Sequence, residues 1–225
     1  MTLEEMPQVK NENGIVGSRE SGSALDLGCG PVPSFSASIS SWANSLTMAD
    51  FLPQNLFEIF KWKTNSCGKL DWFHHFNTVA KLEDVSAKQV ELRLRRRVQK
   101  IISCDVSKEN PIFPHKNLFD VVFTSLCLEF ATDNLPDYQS AFKNSANLVK
   151  PGGFLIMQGA LGNTFYMLGG TRFPSVALTR EILADCAKMC NLKMELWNQL
   201  DRKCGQKDKE ADHDAIFFFV ASKRI

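Results

Sequence analysis

The feature that most constrains the fold is a short apolar strand that runs into a glycine turn, Ala24-Leu25-Asp26-Leu27-Gly28-Cys29-Gly30-Pro31. Glycine lets the backbone pass close to a ligand where a side chain would block it. We expect a helix to open near Ser34, so that its first amide groups face the same point. Asp50 ends the next apolar run, and a carboxylate at the end of a second parallel strand can accept hydrogen bonds from ribose hydroxyls. The combination predicts a Rossmann-like nucleoside site.

The spacing of the glycines narrows the choice of nucleoside. Dinucleotide sites use G-x-G-x-x-G, whereas here Gly28 and Gly30 are followed by Pro33 in place of the third glycine. The D-x-G-x-G-P turn resembles that of S-adenosylmethionine-dependent methyltransferases, whose ligand carries an amino acid in place of a pyrophosphate. An NAD(P)-dependent oxidoreductase is the less favoured alternative, since no Tyr-x-x-x-Lys pair surrounds Tyr138.

Composition predicts one moderately large globular domain. The chain has 225 residues, of which 44% are hydrophobic and 23% charged, and its net charge is +1. This balance gives no global field for nucleic acid, and we interpret the basic run Arg93–Arg97 as a solvated helix face rather than an RNA patch. No apolar run is long enough to cross a membrane, so neither nucleic acid nor membrane is expected as a partner. We expect a monomer.

The cysteines indicate a reducing compartment. Their number is odd, no C-x-x-C occurs, and no secretory apolar segment opens the chain, which predicts reduced thiols and a cytoplasmic protein. His74 and His75 stand without further ligands, so no metal site is predicted.

Strand and helix patterns alternate along the chain, which is typical of a parallel sheet with helices on both faces. Residues 1–22 are expected to form a loose tail and 23–225 a single domain, with 67–99 as an insertion that is irregular up to 85 and then carries a basic helix. The polar loop 201–214 replaces a helix before the last strand, which predicts a final hairpin and one antiparallel strand. The predicted helices are 35–42, 54–63, 86–101, 135–148 and 180–190. The predicted strands are 23–28, 46–50, 100–106, 119–125, 154–157, 192–197 and 216–221.

Several segments, taken in their order along the chain, resemble the family of small-molecule N-methyltransferases that includes nicotinamide, phenylethanolamine and indolethylamine N-methyltransferases. The segments, which together cover roughly residues 23 to 223, are Asp26–Pro31, Ala49–Phe51, Gln54–Leu56, Lys61-Trp62, Asp71-Trp72, Cys104–Val106, Leu126–Glu129, Leu148–Leu155 and Tyr166–Gly169. The resemblance implies an α/β, Rossmann-like class I methyltransferase with a seven-stranded, mostly parallel sheet and an antiparallel last strand. It also implies S-adenosyl-L-methionine as cofactor and a small amine or pyridine as methyl acceptor.

The resemblance assigns cofactor roles residue by residue. The backbone of Gly28, Cys29 and Gly30 would line the methionine moiety, with Ser34 opening the helix that follows. Asp50 would bind the ribose hydroxyls with Asn55 beside it, and Phe51 would cover the adenine face. Asp105 would accept a hydrogen bond from the adenine amino group, and the Val106 amide would donate to a ring nitrogen of the adenine. Ser125 would lie near the cofactor's amino acid. A strand-end cap is the competing interpretation for Asp105, and a satisfied strand-end hydroxyl for Ser125.

The resemblance also assigns the acceptor side. Glu129 matches an acidic residue that meets the substrate amine and is the candidate catalytic group, although an exposed loop carboxylate is an equal interpretation. Asn163, Tyr166 and Ser175 fall where relatives line the acceptor pocket, and Tyr166 could equally be a core aromatic. Asp212 lies near another acidic position of amine-binding relatives, but a solvated loop charge is favoured for it.

Two departures from the family pattern keep alternatives open. Relatives begin with a helical segment whose tyrosines close over the ligands, whereas no tyrosine precedes Tyr138 here. Gly159 and Gly162 stand where different relatives place an acidic substrate contact, so the acceptor is not assigned. A lidless, weakly active or inactive member that serves as a binding protein is therefore the alternative function.

Overall fold

The computed structural model describes residues 22–203 and 209–225. Its strands are β1 (Gly22–Leu27), β2 (Ala43–Asp50), β3 (Val98–Ser103), β4 (Phe119–Ser125), β5 (Val149–Leu161), β6 (Phe165–Leu168), β7 (Thr171–Pro174), β8 (Leu192–Asp201) and β9 (Ala215–Lys223). Its α-helices are α1 (Pro53–Lys63), α2 (Phe73–Glu83), α3 (Ala87–Arg97), α4 (Leu128–Ala131), α5 (Leu135–Asn147) and α6 (Arg180–Met189).

Seven strands form one sheet in the described part of the chain, in the order β3-β2-β1-β4-β5-β9-β8. Strands β1 to β5 pair in parallel, and β9 runs antiparallel to both β5 and β8. The predicted mostly parallel sheet with an antiparallel last strand is confirmed. In space β9 lies between β5 and β8, so the last strand of the chain is not an edge strand.

Alternating side chains of the central strands build a core on each face of the sheet. On β1, Ala24 packs into the cluster that holds Met48, Trp62 and Leu94, whereas Leu25 packs into the opposite cluster with the α5 and β9 aromatics. Successive residues of a strand point to opposite faces, so the apolar run of β1 is buried on both sides. This burial fixes β1 at the centre and brings the ends of the parallel strands to one edge.

The crossover between β2 and β3 contains α1, α2 and α3, and it departs from the sequence prediction in two places. The segment expected to be irregular contains α2, whose Phe76 and Ala80 are buried, with Phe76 stacked on Trp62 at 6.2 Å between ring centroids. The basic helix was predicted to run to residue 101, but α3 ends at Arg97 because Val98 turns to extended backbone and begins β3.

The prediction of an α-helix over residues 35–42 is wrong. Two 3-10 turns, Pro33–Ser36 and Ile39–Ser41, occupy this stretch. Serine hydroxyls compete here for backbone acceptors, since Ser40 Oγ donates to the Ala37 carbonyl and Ser41 Oγ to the Ser38 carbonyl. A regular α-helix is therefore not formed after the glycine turn.

A small hairpin of β6 and β7, which the sequence analysis did not predict, follows β5. Its turn is Gly169-Gly170, and both glycines have positive φ angles, 57° and 81°. Such a turn matches the twist of the flanking strands. Within the described residues, no helix is long and apolar enough to cross a membrane, and no group of three potential ligand side chains could hold a metal ion.

Candidate active site

The turn after β1 is fastened to the end of β2. The amide groups of Gly28 and Cys29 both donate to the Ala49 carbonyl, at 2.9 and 3.0 Å. The Gly30 amide donates to Asp50 Oδ2 at 2.8 Å. Gly28 and Gly30 have φ angles of 74° and 58°, which side-chain-bearing residues rarely adopt. The predicted glycine turn therefore exists, and its shape depends on the carboxylate of Asp50.

Asp50 is a buried carboxylate with several fixed donors around it. Besides the Gly30 amide on Oδ2, its Oδ1 accepts from the Leu52 amide and from Asn55 Nδ2, both at 2.9 Å. A carboxylate has about four lone-pair positions, so these bonds leave room for one further donor. Asp50 is thus both the anchor of the glycine turn and an acceptor with remaining capacity.

A cavity of about 570 Å³ opens at the carboxyl ends of β1 to β4. Most of the predicted cofactor residues line it: Gly28, Gly30, Asp50, Phe51, Asn55, Asp105 and Val106. The cavity is also lined by residues that the sequence analysis did not select: Leu52, Cys104, Ser107, Leu126, Cys127, Phe130 and Ala131. A signal existed for four of them, because Leu52, Cys104, Leu126 and Cys127 lie within two residues of Asp50, Ser103 or Ser125, the last residues of three parallel strands.

Asp105 lies across the same cavity and is partly exposed. Its Oδ1 accepts from the Ser107 amide at 3.0 Å and from the Ser107 hydroxyl at 2.6 Å. Its Oδ2 lies 3.9 Å from Lys108 Nζ. The cap interpretation and the ligand interpretation are therefore compatible, since Oδ1 closes the turn while Oδ2 has only the exposed Lys108 ammonium nearby, at 3.9 Å.

Cys29, Ser34 and Ser125 do not line this cavity. Cys29 is buried in the core cluster on one face of the sheet, where its thiol faces the Gly30 carbonyl at 3.3 Å. Ser34 and Ser125 are buried, and the hydroxyl of each lacks a hydrogen-bond partner in the described part of the chain. The structure thus brings the glycines and the aspartates together at the cavity, whereas these three side chains are not part of its lining.

Burial suppresses charge beneath the glycine turn. Burial raises the pKa of Asp26 to about 7, with the hydrogen bond from Ser36 opposing the rise and the charge of Asp50 adding to it. Burial also raises the pKa of Cys104 to about 12 and that of Cys127 well above its usual range. Both cavity thiols are therefore neutral, and they offer a soft, uncharged surface to a ligand.

Glu129 is buried, with 1% of its surface exposed, so the interpretation as an exposed loop carboxylate is wrong. Its Oε1 accepts from the Ala160 amide at 3.0 Å. Burial raises the pKa of Glu129 to about 7, although backbone hydrogen bonds oppose the rise. A carboxyl group of this kind exchanges its proton near neutral pH, as a general acid or base requires.

Gly159 makes room for the Glu129 carboxyl group. A Cβ atom at position 159 would lie 2.6 Å from Glu129 Oε1 and 2.7 Å from the Phe217 ring. The position where some relatives place an acidic substrate contact is therefore occupied in space by a carboxyl group from α4. A carboxyl group also fills the space beside Gly162, because a Cβ atom there would lie 2.0 Å from Asp214 Oδ2.

The other residues predicted for the acceptor side lie around Glu129. The Ser175 hydroxyl donates to the Glu129 carbonyl at 3.2 Å, and the Ser175 amide donates to the Thr164 carbonyl at 3.0 Å. Asn163, next to Thr164, is fully buried, and neither polar atom of its side chain has a partner among the described residues. Such an orphaned amide indicates a site for a polar ligand group or a water molecule.

Tyr166 and Asp212 have different surroundings. The Tyr166 ring meets Phe130 edge-on at 4.7 Å and stacks on Phe173 at 5.3 Å, in a cavity of about 400 Å³ that shares Phe130 with the larger one. Both oxygens of Asp212 are taken by Thr164 and by the Phe165 amide. Asp212 therefore anchors the start of β6, and its position gives no direct sign of a ligand.

The larger cavity fits the cofactor that the sequence predicts. Its volume lies within the usual range for small-molecule sites. The missing side chain of Gly30 leaves open space, because a Cβ there would meet no atom within 4 Å. Asp50, at the end of β2, and Asp105, after the neighbouring strand β3, both offer acceptors to this space, and the 65% exposed Phe51 offers a flat apolar face. Sugar, base and amino-acid moieties each have a matching surface.

Two solved structures named as methyltransferases share this fold. A SAM-dependent methyltransferase from Methanosarcina mazei superposes with a TM-score of 0.62 at 14% identity, covering 92% of this chain and 94% of its own. The N-methyltransferase NodS from Bradyrhizobium japonicum, solved with S-adenosyl-L-homocysteine, superposes with a TM-score of 0.54 at 14% identity, covering 90% of this chain and 78% of its own. At these identities the likeness confirms the Rossmann-like fold.

Proteins related in sequence indicate the family to which the chain belongs. Human nicotinamide N-methyltransferase is 30% identical over 205 residues, which are 88% of this chain and 76% of the relative. Mouse indolethylamine N-methyltransferase is 29% identical over 202 residues, with the same coverages. Rat phenylethanolamine N-methyltransferase is 31% identical over 162 residues, 70% of this chain and 57% of the relative. The profile of the NNMT/PNMT/TEMT family matches residues 8–224, and the chain belongs to this family.

Proposed function

We propose that this S-adenosylmethionine-dependent N-methyltransferase methylates a nitrogen of a small amine or pyridine, which it binds between the adenosyl cavity and Glu129. The observation that carries the proposal is the convergence of Gly30, Asp50, Phe51 and Asp105 on one cavity at the carboxyl edge of a methyltransferase sheet. Membership of a family of N-methyltransferases supports the reaction class.

The cofactor-binding roles follow from the geometry of the cavity. When bound, the cofactor supplies an activated methyl group on a sulfonium. Asp50 would accept a ribose hydroxyl with its remaining lone pair, while Asn55 holds the carboxylate in place. Asp105 would accept the adenine amino group with Oδ2, and Phe51 would cover the ring. The backbone at Gly28 and Gly30 would approach the methionine moiety, with Ser34 and Ser125 supporting the wall from behind.

The protein's contribution to the reaction is mainly to position the acceptor. A sulfonium is a good leaving group, so the chain need not supply a nucleophile and must instead hold the acceptor nitrogen in line at near-contact distance. An alkylamine arrives protonated and must lose a proton before it attacks. We assign removal of that proton to Glu129, directly or through water, because its raised pKa suits exchange at neutral pH.

Asn163, Ser175 and Tyr166 would form the remaining acceptor surface. The unpartnered amide of Asn163 can bond a polar substituent, and Ser175 fixes the backbone of Glu129. The Tyr166 ring, in contact with Phe130, links this surface to the adenosyl cavity. A pyridine acceptor has no proton to lose, so for that class Glu129 would only orient the ring. We also propose that the protein acts in the cytoplasm on free small molecules.

A methyl-transfer screen tests this function. Labelled S-adenosylmethionine is incubated with the full chain and panels of amines, pyridines and thiols. Labelled product from an amine or a pyridine is the expected result, and label only on thiols, or on nothing, would contradict the proposal.

The variant Glu129→Gln tests the proton acceptor on any amine that the screen finds. It keeps the bond from the Ala160 amide but cannot take up a proton, so we expect a loss of about a hundredfold in kcat/KM on amines and little change on pyridines. Glu109→Gln, at an exposed position, is the matched control. Full activity of Glu129→Gln on every amine would refute the role.

A further inference from the structure

A third cavity lies at the opposite edge of the sheet, and the proposed methyl transfer does not use it. Its volume is about 620 Å³. Asn44 and Gln99, the second residues of β2 and β3, line it at the amino ends of these strands. Since β2 has eight residues, this cavity lies roughly 20 Å along the strand from Asp50. A ligand bound here would not touch the adenosyl cavity.

Arginines of α3 dominate this basic groove. Arg93, Arg96 and Arg97 line it together with the amide side chains of Asn44, Gln89 and Gln99, and no carboxylate is part of the lining. Gln89, Arg93 and Arg96 are spaced so that they share one face of the helix. The groove therefore concentrates positive charge in a chain whose net charge is only +1.

The arginines of the groove differ in their partners. Arg93 is held by Glu83, with N–O distances of 2.7 and 3.0 Å, and also donates to Ser40 Oγ and the Ala37 carbonyl. Arg93 thus forms the fixed floor of the groove. Arg96 and Arg97 have no ion pair or side-chain hydrogen bond in the described parts of the chain, 22–203 and 209–225. Two guanidinium groups are therefore available at the rim of a preformed depression.

We propose that the basic groove binds a small ligand that carries several phosphate groups. Guanidinium groups present paired N–H donors that match phosphate oxygens, and neighbouring arginines suit linked phosphates. The Gln89 amide adds a donor, since its oxygen already accepts from the Ser86 amide and hydroxyl. The groove is bounded by α3 and by the first residues of β2 and β3 and does not continue as a stripe along the surface, so it fits a small polyanion rather than a nucleic-acid strand.

Calorimetric titration of the full chain with inorganic tripolyphosphate tests the proposal. This probe has no adenosine and therefore does not address the adenosyl cavity. We expect saturable 1:1 binding that S-adenosylhomocysteine leaves unchanged. In the double variant Arg96→Gln/Arg97→Gln the affinity should fall by at least about tenfold, because charge-assisted bonds are lost. The single variants should each show part of this loss, and S-adenosylhomocysteine binding should be retained as proof of folding.

Lys88→Gln is the matched control, since Lys88 is exposed on the same helix outside the groove. Its affinity for tripolyphosphate should stay within about twofold of the wild type, as expected when screening weakens distant charges. Absence of binding to the wild type would overturn the proposal. Equal weakening by Lys88→Gln, or competition by S-adenosylhomocysteine, would also overturn it, because each would place the anion outside the groove.

Discussion

The stability of the protein should fall as pH rises from 4 to 7, and Asp26 should account for much of the fall. Asp26 lies beneath the glycine turn with 1% of its surface exposed, and burial raises its pKa from 3.8 to about 7. The unfolded chain releases this proton near pH 4, whereas the folded chain keeps it until about pH 7. Above pH 4 the free energy of unfolding therefore decreases, because ionisation of Asp26 stabilises only the unfolded state.

The size of this effect follows from the pKa. A change of one in pKa corresponds to about 1.4 kcal/mol, so Asp26 alone should remove about 4 kcal/mol from the free energy of unfolding across this range. Glu129, whose pKa is raised from 4.5 to about 7, should remove about 3 kcal/mol more in the same range. Both contributions are complete once the pH has passed 7.

Urea denaturation at several pH values between 4 and 8 measures this effect, with the variant Asp26→Asn as the perturbation. Asparagine keeps the shape of the side chain and can accept from the Ser36 hydroxyl, but it does not titrate. Between pH 4 and pH 8 the free energy of unfolding of the variant should therefore fall by about 4 kcal/mol less than that of the wild type. Asp185→Asn, at an exposed position of α6, should leave the profile unchanged. Parallel profiles for Asp26→Asn and the wild type would refute the reasoning.

Glycine substitutions test the cavity wall directly. Gly28→Ala should destabilise the protein by about 3 kcal/mol in urea unfolding, because it combines a positive φ with a Cβ that would lie 2.1 Å from Cys127 Sγ. Gly30→Ala should cost only about 1 kcal/mol, since its Cβ meets open space, yet it should weaken S-adenosylhomocysteine binding in calorimetry by filling the cavity. Gly159→Ala should lower methyl transfer at least about tenfold with cofactor binding retained, because it displaces the Glu129 carboxyl group. Equal stability of the first two variants, or full activity of the third, would contradict these assignments.

The sequence was sufficient for the sheet and for the glycine turn because both depend on local patterns. Strands β1, β2 and β4 each carry apolar residues at successive positions, such as Ala24-Leu25, Met48-Ala49 and Val121–Phe123, which is typical of strands buried on both faces. Gly28 and Gly30 mark positive φ angles that few other residues adopt, and Asp50 ends its strand at the point where the turn needs an acceptor. These features do not depend on distant parts of the chain.

The helix α2 could not be predicted from its own sequence. It has no side-chain cap at its start, and histidine, asparagine and threonine are weak helix formers. Packing stabilises it instead, through Phe76 against Trp62 and through its contact with α3. The β6–β7 hairpin is different, because Gly169-Gly170, between segments that each contain an aromatic residue, is a local turn signal that is readable from the sequence.

The surroundings of several site residues could not be predicted, because parts of the chain that are distant in sequence bury or bind their side chains. The sequence showed Glu129 after a strand but could not show that Gly159, far along the chain, leaves space for its carboxyl group. In the same way, Asp212 looked like a solvated charge, whereas folding brings it to Thr164 and Phe165. The raised pKa of Glu129 comes from its burial in the folded chain, so no local pattern could indicate it.

A crystal structure of the full chain with S-adenosylhomocysteine would show whether the ligand occupies the adenosyl cavity. We expect a ribose hydroxyl within hydrogen-bond distance of Asp50, the adenine amino group at Asp105 Oδ2, and the ring against Phe51. We also expect that the Gly30 amide still donates to Asp50. A ligand bound elsewhere, or one that touches neither aspartate, would contradict this expectation.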